Sequence, residues 1–171
     1  MRRTLDALYA GAGYLGALFM IGTLAMVLAG VTGRMFGFYL RGTDAFAGYC
    51  MAAAGFLALA HTLKRGEHIR VTLILQHVPE TAHRALEIWC YLVATVIAAA
   101  LAWFSAHLVW QSHSFHDISQ GADATPLWIP QLTMAAGAIV MSIAFLDDFV
   151  CLLAGRPNVP QTADAEPAHI E

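Results

Sequence analysis

From Ala7 to Gly33 the chain carries no charged side chain, and three further runs repeat the pattern: Ala45 to Leu63, Ile88 to about Trp110, and Leu127 to Leu146. A helix needs about 20 mostly apolar residues to cross the hydrocarbon core of a bilayer, and each run supplies or nearly supplies them. The fourth run extends past Asp147 and Asp148 to Ala154. Only 12% of the 171 residues are charged and 58% are apolar, whereas soluble domains carry roughly 25% charged residues. A soluble chain this short cannot cover itself with so little polar surface. The reading is an all-α membrane protein, a single domain over residues 1–155 with four transmembrane helices near 9–31, 45–63, 87–110 and 127–154. The apolar core of the first run exceeds the roughly 7–15 residues of a secretion signal, so it reads as a retained helix.

Orientation follows from Lys and Arg, which accumulate in short cytoplasmic loops. With the N-terminus inside, Arg2, Arg3, Lys64, Arg65, Arg70, Arg84 and Arg156 fall on the inner side and only Arg34 and Arg41 on the outer. The long outer loop from Gln111 to Pro126 has no Lys or Arg. Both termini are therefore expected in the cytoplasm, with residues 156–171 a Pro- and Ala-rich acidic tail lacking the apolar content to fold. Trp110 and Trp128 flank the outer loop, and Trp89 and Tyr91 mark the inner end of the third helix, as interfacial rings do.

The connection between the second and third spans concentrates charge at Lys64, Arg65 and Arg70. Beyond it Val71, Ile74, Leu75 and Val78 recur at helical spacing. This predicts a short amphipathic helix lying on the cytoplasmic interface, with Pro79 either ending it or beginning the next helix. At the outer end of the fourth span, Thr125 and Pro126 read as an N-cap followed by proline in the first helical position. Pro130, a turn later, would bend that helix or reset its start.

Small residues recur every fourth position in the third span, at Cys90, Ala94, Ala98, Ala102 and Ala106; the first span has Ala12 with Gly16, and Ala25, Ala29 and Gly33. Such seams let helix backbones approach closely in lipid. Ionisable residues inside a membrane usually mark function. Here Asp44, Glu87, Asp147 and Asp148 all fall near span ends, where solvation or pairing with a neighbouring Arg or Lys accounts for them. No mid-membrane acid, proton relay or nucleophile with an adjacent base stands out. Eight histidines raise haem or metal as alternatives. His61 and His107, however, fall at opposite ends of their spans and cannot share one iron. His113, His116 and Asp117 make a sparse ligand set in a polar loop. The three cysteines lie in separate apolar runs without C-x-x-C spacing, and read as packing residues. The expectation is no enzyme, cofactor or metal.

Lys64-Arg65-Gly66-Glu67-His68-Ile69-Arg70-Val71, followed by an amphipathic stretch and Pro79, resembles the loop after the second helix in TRAP transporter small membrane subunits, the DctQ-like family. That family shows a basic residue, Gly, His-Ile or His-Val, a Val-Asp pair, and later Leu-Pro. This chain has Thr72 in place of the Asp and closes with His77-Val78-Pro79. Thr125-Pro126-Leu127-Trp128-Ile129-Pro130-Gln131 is similar to the family's entry to its fourth helix. Asp44 stands where the family places acidic residues near a Trp, which is absent here. The likeness runs from about Gly33 to Gly155.

The resemblance implies a non-catalytic accessory subunit of a tripartite secondary transporter in a bacterial inner membrane. There a periplasmic binding protein delivers an organic acid to a large membrane subunit, which holds the substrate and sodium sites and moves as an elevator. The small subunit packs against it as a scaffold. On this reading Gly66, His68, Ile69 and Arg70 set the cytoplasmic turn, and the Ala98 and Ala102 seam packs a helix. Trp128 and Pro130, with Arg34 and Arg41, help form a periplasmic docking surface. The alternatives are a four-helix haem protein, which would be coloured, and a stand-alone small transporter, which would need a polar stripe along one helix.

Overall fold

The computed structural model describes residues 2–38, 40–64, 80–121 and 123–154, which form helices and the turns joining them. The helices are α1 (Arg2–Met35), α2 (Thr43–Lys64), α3 (Glu80–Ser114) and α4 (Trp128–Leu153). All four are long and apolar enough to cross a membrane. The expected interfacial helix, with Gly66, His68, Ile69 and Arg70, lies outside the described residues, as does the tail 156–171.

α1 and α3 have 34 and 35 residues, about 50 Å at 1.5 Å per residue. α2 and α4 have 22 and 26. The short helices form the centre. α1 packs on α2, α2 on α4 and α4 on α3, with α1 touching α4 more lightly and no comparable interface between α1 and α3. Neighbouring pairs of residues fix the directions. Gly13 meets His61 and Gly30 meets Thr43, so α1 and α2 are antiparallel. Phe56 meets Gly137 and Lys64 meets Asp147, so α2 and α4 run the same way.

Small residues make these contacts. Ala53, Ala54 and Leu57 of α2 are buried with Ala135, Gly137 and Ala138 of α4. A Cβ on Gly137 would lie 2.5 Å from the carbonyl carbon of Phe56 and 2.6 Å from its oxygen. Backbone meets backbone there, and only glycine fits. On α1, Ala12, Gly16 and Gly33 are buried, Ala29 is half-buried and Ala25 is exposed.

The seam of α3 departs from a strict four-residue stripe. Ala98, Ser105 and Ser112 are buried, and Tyr91, Thr95, Ala102 and Val109 are half-buried between and before them; Cys90 and Ala106 are exposed. Four residues overshoot a 3.6-residue turn by about 40°, so an every-fourth row winds off the contact face. Alternating steps of four and three keep the seam on α4, as in coiled coils. Thr95 marks the contact, its hydroxyl donating to Tyr91 O at 2.7 Å and to Phe145 O of α4 at 3.4 Å.

Gly137→Ala should push α2 and α4 apart, because the atoms it meets are backbone and cannot rotate away. A loss of about 1–3 kcal/mol is expected for such overpacking. Thermal unfolding in detergent would read it, with Gly55→Ala, where a Cβ meets nothing within 4 Å, as the control.

Candidate functional site

Charge gathers at the two ends of the bundle. At the end holding the N-terminus of α1, Lys64 closes α2 and reaches α4. Its Nζ lies 2.6 Å from Asp147 Oδ2 and 2.7 Å from Asp148 Oδ1. Asp148 is buried, with 6% of its side chain exposed, and Lys64 retains 18%. The ring of Tyr9, from α1, lies under the ammonium, 5.2 Å from Nζ to the centroid. Such cation–π contacts contribute about 0.5–2 kcal/mol. Tyr9 is buried with Ala144 among Leu5, Leu63, Val140 and Met141, and its hydroxyl finds no hydrogen-bond partner among the described residues. One lysine therefore joins α1, α2 and α4. The sequence left Asp147 and Asp148 either solvated or paired with a neighbouring Arg or Lys; the pairing with Lys64, and the part of Tyr9, come from the packing. Both depend on α2 and α4 running in the same direction side by side.

At the opposite end Arg34, at the close of α1, pairs with Asp44 at the start of α2, at 3.1 and 3.3 Å. The pair stays largely exposed, with 62% and 84% of the side chains accessible, and contributes little to stability. Arg41 is exposed and forms no ion pair among the described residues. Trp128 is half-buried with His113 edge-on at 5.5 Å, and Pro130 is half-buried in the first turn of α4. Arg34, Arg41, Trp128 and Pro130 thus share one end of the bundle, but the two that face solvent most are the arginines.

Helix α4 begins later than its expected cap. Its N-cap is Leu127, without a side-chain hydrogen bond. Thr125 and Pro126 belong instead to a small hairpin: Ile118 bridges Pro126, Ser119 N–H donates to Thr125 O at 2.8 Å, and Leu127 N–H to Asp117 O at 3.0 Å. Pairing of the chain with itself takes Thr125 out of the cap position. Pro130 then lies among the first helical residues, where a missing amide donor costs no helical bond.

Asp123 closes the hairpin. Its Oδ1 accepts from Ser119 Oγ at 3.0 Å and its Oδ2 from Tyr49 OH of α2 at 3.2 Å. Gly42 of the α1–α2 turn lies so close that a Cβ there would sit 2.8 Å from Asp123 Cβ. The hydroxyl of Thr125, with the Asp123 amide and Ser119, holds the Asp123 carboxyl below the ordinary aspartate value of 3.8, against a smaller opposing effect of desolvation. His113 and His116 belong to the end of α3. His116 adopts φ 53°, and Asp117 N–H returns to Ser112 O at 3.0 Å, the pattern of a helix stopped by a left-handed residue. Their rings stack 6.4 Å apart. Among the described residues no group of three or more His, Cys, Asp or Glu is placed to hold a metal ion. His61 packs on Gly13 near the Lys64 end, whereas His107 is exposed on α3 towards the hairpin.

Two tests follow from these ends. Lys64→Met leaves two carboxylates without the ammonium that pairs them. It should cost about 3–5 kcal/mol in unfolding measurements, and adding Asp147→Asn and Asp148→Asn should restore most of it. At the other end, the depressed pKa of Asp123 means that its contribution is present above pH 3.8 and fades as pH falls through the lower folded value. Limited proteolysis of the hairpin should therefore accelerate in strong acid. In Asp123→Asn it should already be fast at neutral pH.

A comparison with curated proteins returns no match. Residues 23–155 match the family described as tripartite ATP-independent periplasmic transporters, DctQ component. That stretch takes in α2, α3, α4 and the C-terminal part of α1, together with the Lys64 triad, the Arg34–Asp44 pair and the hairpin. The chain belongs to the DctQ-component family of tripartite ATP-independent periplasmic transporters.

Proposed function

We propose that the chain is the non-catalytic small membrane subunit of its transporter, scaffolding a large elevator subunit in a bacterial inner membrane. In this reading a periplasmic binding protein delivers an organic acid, and the large subunit couples its uptake to sodium. Family membership carries the proposal, and the distribution of charge supports it. The charges of α2 and α4 are drawn into pairs at the helix ends, and the bodies of all four spans carry no Asp, Glu, Lys or Arg. A transport pathway needs polar or ionisable groups near the membrane midplane. A scaffold needs packing surface, and the long outer helices α1 and α3 supply it, with Leu18, Ile21, Ile97 and Phe104 exposed.

In this reading the docking surface for the binding protein is the end carrying Arg34, Arg41, Trp128 and Pro130, with the exposed arginines as its charged contacts. Gly66, His68, Ile69 and Arg70 are assigned to a cytoplasmic turn, and the seam through Ala98 and Ala102 to holding α3 on the bundle.

Purification of the tagged chain from its native membranes in mild detergent tests the reading. A much larger polytopic protein should co-purify in fixed ratio, and Arg34→Ala with Arg41→Ala should leave that pair intact while weakening binding-protein-dependent uptake. Recovery of this chain alone, coloured or colourless, would overturn the scaffold reading.

A further inference from the structure

The turn between α1 and α2 holds apolar side chains that the bundle does not bury. Met35, Phe36, Phe38 and Leu40 are 81%, 75%, 52% and 43% exposed. Their display is built by the end of α1. Gly37 takes φ +76° and Phe38 N–H returns to Gly33 O at 3.0 Å, so the chain turns sharply at a residue that tolerates that backbone. The rings of Phe36 and Phe38 then lie side by side, 6.4 Å between centroids and 18° between planes. The platform is held at its far end too, where Gly42 abuts Asp123 of the hairpin.

Two observations say what covers this patch. First, it continues the outward face of α1: Leu24, Leu28, Val31 and Met35 recur at helical spacing and are all exposed. Second, charged residues border the patch on both sides, Arg34 paired with Asp44 at one end and exposed Arg41 at the other, as at a headgroup boundary. Phe36 follows Arg34 by two residues, about 3 Å along the helix axis, so the rings lie at the depth of that ion pair. Aromatic rings favour the boundary between headgroups and acyl chains.

We propose that the Met35–Leu40 turn is an interfacial anchor, with Phe36 and Phe38 inserted among the lipid headgroups at this end of the bundle. The occupant is the bilayer, reached without a break from the apolar face of α1. The anchor does not depend on the transporter reading, since it requires only that α1 spans the membrane.

Spin labels at Phe36→Cys and Phe38→Cys, in a background with Cys50, Cys90 and Cys151 replaced by Ala, test it in phosphatidylethanolamine–phosphatidylglycerol vesicles. Both labels should collide more with oxygen than with a water-soluble nickel chelate, as a label at Leu24→Cys does and one at Gln120→Cys, on the exposed tip of the hairpin, does not. Nickel accessibility equal to that at Gln120→Cys would overturn the anchor. The unaltered protein offers a second measurement: a lipid with a photoactivatable diazirine near its headgroup should label the Met35–Leu40 peptide. Labelling confined to other peptides would overturn the proposal as well.

Discussion

In a bilayer the hydrophobic effect does not hold helices together, since lipid tails are as apolar as leucine. This bundle depends instead on how closely backbones approach, and Gly137 against the Phe56 carbonyl is the tightest such point between its two central helices. With the Lys64–Asp147 contact, it shows α2 and α4 running the same way. Their direction brings Lys64 and the two aspartates to one level, and the long helices attach outside, α1 on α2 and α3 on α4.

The ends are closed by unlike means, and each suits its surroundings. The Lys64 triad is largely buried, where partnered charges are costly to break, and it draws in the ring of Tyr9. The opposite end carries an exposed ion pair of little weight and relies on hydrogen bonds from neutral donors around Asp123. The Tyr49 bond ties the hairpin to α2, and the close approach of Gly42 to Asp123 packs it on the α1–α2 turn. The result is a bundle clamped at both ends whose body offers mainly apolar side chains and small-residue seams. Such a molecule has surface to give to a neighbour or to lipid, which accords with a component of a multisubunit transporter.

Several features were legible because they depend on local periodicity. Four charge-free runs imply four helices, and Arg34, Lys64, Asp44 and Asp147 mark their ends whatever the packing. The loop motif and the Thr125–Gln131 stretch pointed to the family before any contact was known. Errors arose where a local signal met a non-local partner. Thr125 looks like a helix cap but serves Asp123 and the hairpin backbone. The row from Cys90 to Ala106 looks like one seam, yet its ends turn away from α4.

The number of helices, the apolar character of their bodies and the family all follow from the order of residues along the chain. Backbone hydrogen bonding in an apolar medium leaves a run of that length little choice but to be a helix. Which helices touch does not follow, because the small residues that permit close approach occur on α1, α2, α3 and α4 alike. Lys64 facing Asp147 and Asp148 across 83 and 84 positions, and Tyr49 facing Asp123 across 74, arise only when α2 and α4 lie side by side. Those partnerships are products of packing geometry, which one-dimensional spacing does not encode.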